Sequence, residues 1–118
     1  MRDNRERLAD ILEAVEHIER YASRGRAAFE QDELIQTWIV HHLAIIGEAA
    51  SRLGNAFHEA NPQVPWEQII AMRNILVHDY FAVDLDVVWA TVQRDLPELK
   101  SRISNLVASS AGTTRKHD

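Results

Sequence analysis

The stretch "DELIQTWIVHHLAIIGEAASRL", residues 32–53, decides the fold that this sequence predicts. Its mostly apolar stripe recurs every three or four positions, which is the period of an α-helix with one face against a core. The stripe consists of Ile35, Trp38, Ile39, His42, Ile45, Ile46, Ala49 and Leu53. Leu43 and Ala44 widen this face, so we expect neighbouring helices on more than one side.

Three further segments carry the same helical period, and none alternates as a strand does. The expected helices run from about Asp3 to Ser23, from Trp66 to near His78–Phe81, and from Asp84 onward. Amphipathic helices joined by short connections favour an antiparallel bundle.

The resulting prediction is an all-α, up-and-down bundle of four main helices over residues 1–108. Pro97 lacks an N–H group, so the last helix should be kinked there or split in two. The small, polar segment 109–118 is predicted to be a disordered tail.

Composition excludes several classes of protein. The 118 residues are 46% hydrophobic and contain no cysteine, so disulfides and a cysteine nucleophile are excluded. No apolar run is long enough for a membrane helix. The charged start "MRDNRERLAD" is unlike a secretory signal. We therefore expect a cytoplasmic protein without a membrane partner. The net charge of −5 argues against a broad nucleic-acid coat but allows a small cationic cleft.

The third helix carries an arginine within its apolar stripe. At about 100° per residue, Arg73 falls between Ile69 and Val77, where a guanidinium is seldom buried without a partner. The same step places His78 about 140° from Arg73. The two side chains can therefore serve one site only if the helix lines a cleft or a second subunit faces it.

Each residue of this pattern also has a simpler structural interpretation. Arg73 could form a buried ion pair with Glu48 of the second helix. His78 could be a cation favoured at a helix C-terminus, and Tyr80 a core aromatic with a solvated hydroxyl. The spacing Arg-x4-His-x-Tyr is stronger evidence for a site than any one of these residues.

The other histidines give weaker signals. His42 lies on the apolar stripe and is more simply a core histidine, although it could support the cleft, as could Glu48. His17 lies off the first helix's stripe and is expected to be solvated. His41 and His42 are adjacent and so do not form the i, i+4 pair of a metal-binding helix. We expect no metal site.

Several segments resemble HepT-like toxins of the HEPN superfamily, and together the resemblance spans roughly residues 5–105. These segments are "IIGEAASRL" (45–53), "VPWEQIIAMRN" (64–74), "RNILVHDY" (73–80) and "VVWATVQRDLPELK" (87–100).

The resemblance implies the toxin of a type VII-like toxin–antitoxin system, a homodimeric endoribonuclease that needs neither metal nor cofactor. The family's motif arginine, its polar neighbour and its histidine correspond to Arg73, Asn74 and His78. The resemblance also implies a small nucleotidyltransferase antitoxin, which transfers AMP from ATP to the motif tyrosine, here Tyr80.

Two other functions fit the same sequence. HEPN-like bundles also serve as non-catalytic binding modules accessory to nucleotidyltransferases. A dimeric scaffold whose motif is a buried salt-bridge network is the third interpretation.

Overall fold

Helices form all the regular structure of the part of the chain that the computed structural model describes. This part comprises residues 3–79 and 83–116, with side chains described as far as residue 109. The helices are α1 (Asn4–Ala22), α2 (Arg26–Gln31), α3 (Glu33–Leu53), α4 (Asn55–Ala60), α5 (Trp66–His78), α6 (Leu85–Ala90) and α7 (Leu96–Lys116). The prediction of an all-α fold is confirmed.

The long helices pack antiparallel around one apolar core. α3 lies between α1 and α5, and α7 packs against α1. The C-terminal half of α1 meets the N-terminal half of α3, where the indole N–H of Trp38 donates to the carbonyl of His17 at 2.7 Å. The same end of α1 meets the start of α7, where Lys100 pairs with Glu19 at 2.8 Å. The least exposed large side chains of the core are Phe29, Ile11, Ile18, Ile39, Ile103 and Val15.

Aspartates fix the starts of three helices. Asp3, Asp32 and Asp84 each accept a hydrogen bond from a backbone N–H in the first turn of the helix that follows, at 2.9 Å in every case. Such a cap satisfies an N–H group that has no partner within the helix. The Asp84 cap agrees with the N-cap that the sequence predicts.

Two short helices, α2 and α4, have no counterpart in the sequence-based prediction. Six residues are too few to show a helical period, and an isolated helix of that length is unstable in water. Tertiary contacts hold both of them: Phe29 of α2 stacks on Trp89 with ring centroids 5.2 Å apart. In α4, Nε2 of His58 lies 2.7 Å from the carbonyl oxygen of Ala50.

The last long helix is interrupted just before Pro97, as its sequence predicts. The interruption is a π-helical turn, Thr91–Asp95, in which the N–H of Leu96 donates to the carbonyl of Thr91. A proline removes one backbone donor and crowds the carbonyl four residues earlier, which favours such a widened turn. At its far end, α7 extends to Lys116, within the segment 109–118 for which the sequence predicts disorder.

None of the described helices is both long and apolar enough to cross a membrane.

Gly47 allows α5 to approach α3 closely. A Cβ atom built on Gly47 would lie 2.1 Å from Cβ of Arg73 and 3.2 Å from the carbonyl oxygen of Ile69. Neither neighbour is the end of a flexible side chain, so any larger residue would push the helices apart. Gly47 therefore sets the position of α5 and of the arginine that it carries.

We predict that Gly47→Ala lowers the free energy of unfolding by about 1–3 kcal/mol, the usual cost of overpacking a core. Ser51→Ala, an exposed position one turn later on the same helix, should change it by less than about 0.5 kcal/mol. Urea denaturation of both variants is the measurement. An unfolding free energy of Gly47→Ala equal to that of the wild type would show that α5 does not depend on this contact.

Candidate functional site

Arg73 lies at the middle of α5 and is held on two sides. Its Cβ lies over the bare backbone of Gly47, and its side chain is 28% exposed. Nη2 lies 2.6 Å from Oε2 of Glu48, and Nη1 donates to Oδ1 of Asn74 at 2.9 Å. The ion pair with Glu48 that the sequence suggests is therefore present, and it leaves the guanidinium partly accessible.

Glu48 contacts a second arginine with its other oxygen. Nε of Arg52, one turn later on α3, donates to Oε1 of Glu48 at 2.8 Å. This hydrogen bond, together with the charge of Arg73, lowers the pKa of the Glu48 carboxyl from its ordinary value. Glu48 is thus an ionised group shared by two guanidiniums.

His78 is the last residue of α5 and is exposed. The helix ends at Asp79, whose N–H donates to the carbonyl of Ile75 at 2.9 Å. Tyr80, the expected AMP acceptor, lies outside the described residues. The structure therefore brings Arg73 into contact with both Asn74 and Glu48, and His78 lies at the end of the same helix.

His42 is buried between α1 and α3, where the sequence's simpler interpretation puts it. Its Nδ1 lies 2.8 Å from the carbonyl oxygen of Trp38, and its ring packs on that indole with centroids 4.4 Å apart. Burial lowers the pKa of its imidazole. These are the contacts of a core histidine, and a role for His42 in supporting the cleft stays a prediction.

The expectation that His17 is solvated holds only in part, since its side chain is 29% exposed and its Nε2 lies 3.5 Å from Oε1 of Glu13. Its ring packs on Trp38 and on His42, with centroids 5.5 Å and 4.9 Å away, and Nδ1 is buried without a hydrogen-bond partner in the described residues. The side chains of Trp38 and His42 on α3 extend far enough to contact His17, which lies beside the apolar stripe of α1. The positions of residues around α1 alone do not predict this contact, because it depends on which side chains of α3 lie opposite.

A groove borders the site on the side of Asn74. It runs between α3, α4 and α5, and Asn74 lines it together with Ser51, Asn55 and Gln68. These amide and hydroxyl groups can donate and accept hydrogen bonds, as nucleobase edges require. The groove wall also includes the carboxylates of Glu59 and Glu67 and apolar side chains, so only part of it offers neutral polar groups beside the cationic site.

Two residues of the site are absent from the sequence-based prediction. Gly47 is detectable only as a small residue within the widest apolar face, and the contact that makes it necessary lies on another helix. Arg52 follows Glu48 by four residues, the spacing at which helical side chains meet. That spacing is the signal that could have identified it.

The arrangement suits the binding of an anion. A guanidinium is permanently charged and presents a planar set of N–H donors that matches phosphate oxygens. Arg73 keeps part of this surface exposed while Glu48 and Asn74 fix its orientation. The imidazole of a histidine such as His78 can act as a proton donor or acceptor.

Comparisons with known proteins identify the family of this chain. A family model described as ribonuclease HepT-like matches residues 11–106. A probable ribonuclease HepT of Thermococcus cleftensis is 38% identical over 108 residues, which cover 89% of this chain and 96% of the relative. A putative RNase of Methanocaldococcus jannaschii is 34% identical over 103 residues, which cover 86% and 94%.

A putative RNase of Caldanaerobacter subterraneus is 34% identical over 108 residues, which cover 91% of this chain and 96% of the relative. No solved structure matches. The family model spans most of the helical bundle, including the segment that carries Arg73 and His78. The chain therefore belongs to the HepT-like ribonuclease family of the HEPN superfamily.

Proposed function

We propose that this protein is a metal-independent endoribonuclease whose catalytic residues are Arg73 and His78, with Asn74 as the polar group that orients the arginine. The observation that supports the proposal is the partly exposed guanidinium of Arg73, which Glu48 and Asn74 hold on the helix that ends at His78. Membership in a ribonuclease family supplies the reaction class.

The reaction begins with removal of the proton from a ribose 2′-hydroxyl by a neutral imidazole of His78. The 2′-oxygen attacks the adjacent phosphorus, and the bond from phosphorus to the 5′-oxygen breaks. A protonated imidazole donates a proton to that leaving oxygen. Arg73 stabilises the negative charge that develops on the phosphate oxygens.

One histidine cannot supply both proton transfers in a single step, so we propose a homodimer that brings two copies of His78 to one cleft. Apolar side chains next to this histidine support the proposal: Ile75 is 53% exposed and Val77 is 50% exposed. On α6, Val87 is likewise 53% exposed. Ile75 precedes His78 by three residues and so lies on the same side of α5, where a second subunit would bury it.

We further propose that the protein is the toxin of a toxin–antitoxin pair. The partner is a small nucleotidyltransferase, which attaches AMP from ATP to the hydroxyl of Tyr80 and releases pyrophosphate. Tyr80 follows His78 by two residues. A nucleotide with its negative phosphate at this position would obstruct the cleft and repel RNA.

The ribonuclease proposal predicts that Arg73→Ala and His78→Ala each reduce RNA cleavage in EDTA by at least roughly 100-fold, the usual contribution of such groups. Matched controls are Arg20→Ala and His41→Ala, which remove exposed residues of the same types from other helices. Both controls should cleave at the wild-type rate.

Circular dichroism establishes that the four variants are folded. Wild-type cleavage by Arg73→Ala or His78→Ala would overturn the assignment of these residues. An unmodified wild type that binds RNA and cuts none would instead favour a non-catalytic binding module.

The AMP proposal predicts a change in intact mass. Expression together with a small nucleotidyltransferase encoded by the neighbouring reading frame should add whole AMP units to the wild type and none to Tyr80→Phe. The control is Tyr21→Phe, which alters the chain's other tyrosine and should gain the same mass as the wild type. AMP on Tyr80→Phe, or an unmodified wild type in the presence of active partner and ATP, would contradict the proposal.

A further inference from the structure

We propose that Arg52 is a second phosphate-binding residue, which holds the RNA strand beside the phosphate bound by Arg73. This inference deepens the proposed ribonuclease function and rests on it. It concerns binding of the strand, whereas Arg73 and His78 act on the phosphate that is cleaved.

The geometry places two guanidiniums around one carboxylate. Arg52 Nε lies 2.8 Å from Oε1 of Glu48, and Arg73 Nη2 lies 2.6 Å from Oε2 of the same residue. One ionised carboxylate balances the charge of one guanidinium. The group of three side chains therefore keeps one positive charge in excess.

Arg52 is the outer member of this group. Its side chain is 60% exposed, compared with 38% for Glu48 and 28% for Arg73. Within the described part of the chain, its hydrogen bond is from Nε alone, to Glu48. Its two terminal nitrogens are therefore available to an external acceptor, while the hydrogen bond from Nε to Glu48 orients the guanidinium.

Other arginines of the bundle are balanced differently. Arg26 lies between two carboxylates, Glu30 and Asp86, at 2.7 Å and 2.8 Å. Arg102 pairs with Glu98 of the preceding turn. These ion pairs carry no positive excess, whereas the group around Glu48 does, in a chain whose net charge is −5.

A phosphodiester strand is the ligand that fits this charge pattern. Guanidiniums bound to opposite oxygens of one carboxylate lie close enough to contact neighbouring phosphates of a single strand. The contact that each makes is a charge-assisted hydrogen bond of the kind that arginine forms with phosphate. Asn74 also lines the groove between α3, α4 and α5, whose amide and hydroxyl groups can form hydrogen bonds with a base.

A residue that only binds the strand has a distinct kinetic signature. Its loss should raise KM and leave kcat unchanged, since it contributes equally to the bound substrate and to the transition state. It should also reduce the salt dependence of binding, because each phosphate contact on a single strand contributes a slope of about 0.7 in log Kd against log salt.

The test uses the 118-residue protein and a single-stranded RNA made uncleavable by 2′-O-methyl groups. We expect Arg52→Ala to weaken binding roughly tenfold, as for loss of a hydrogen bond to a charged group, and to lower the salt slope by about 0.7. Arg52→Lys should restore much of the affinity because it keeps the charge. Arg20→Ala, which removes an exposed arginine near the opposite end of the bundle, should match the wild type.

Cleavage of the unmodified RNA completes the test. Unchanged affinity and salt slope in Arg52→Ala would overturn this inference and leave the ribonuclease proposal standing. A fall in kcat with an unchanged salt slope would also overturn it, because Arg52 would then act only by positioning Arg73. Binding that depends on Arg52 in a wild type that cuts no RNA would overturn the ribonuclease proposal and keep the phosphate contact.

Discussion

The close approach of α5 to α3 at Gly47 is the contact on which the site depends. Cβ of Arg73 occupies the space that a side chain on position 47 would fill. This contact places the guanidinium of Arg73, on the apolar side of α5, beside α3. Glu48, the residue that follows Gly47 in α3, is there to pair with it. The charge of Arg73 is thereby paired without being removed from solvent.

Sharing of Glu48 links the electrostatics of the two helices. The carboxylate is kept ionised by Arg52 on its own helix and by Arg73 on the neighbouring helix. The Arg73–Glu48 ion pair is partly exposed and so differs from a buried one, in which desolvation offsets much of the attraction between the charges. Its consequence is geometric: one carboxylate pairs with two guanidiniums on an acidic protein, and one of them lies on the helix that ends at His78.

Sequence periodicity predicts the long helices well, because each buries a continuous stripe against the others. The sequence also predicts the interruption of the last helix near Pro97, because proline lacks an N–H group. It suggests Glu48 as the ion-pair partner of Arg73, as the structure shows. It does not reveal α2 and α4, which depend on contacts such as the stacking of Phe29 on Trp89. It does not reveal the packing of His17 against Trp38 or the role of Gly47 either, since both depend on which residues of a second helix lie opposite.

The chemistry of the RNA ends tests the central claim most directly. RNA fragments produced by the purified, unmodified protein in EDTA can be identified by mass spectrometry. Attack by the 2′-oxygen, assisted by Arg73 and His78 without a metal, predicts 2′,3′-cyclic phosphate ends and fragments that begin with a 5′-hydroxyl. Intact RNA, or fragments with 3′-hydroxyl and 5′-phosphate ends, would contradict the account.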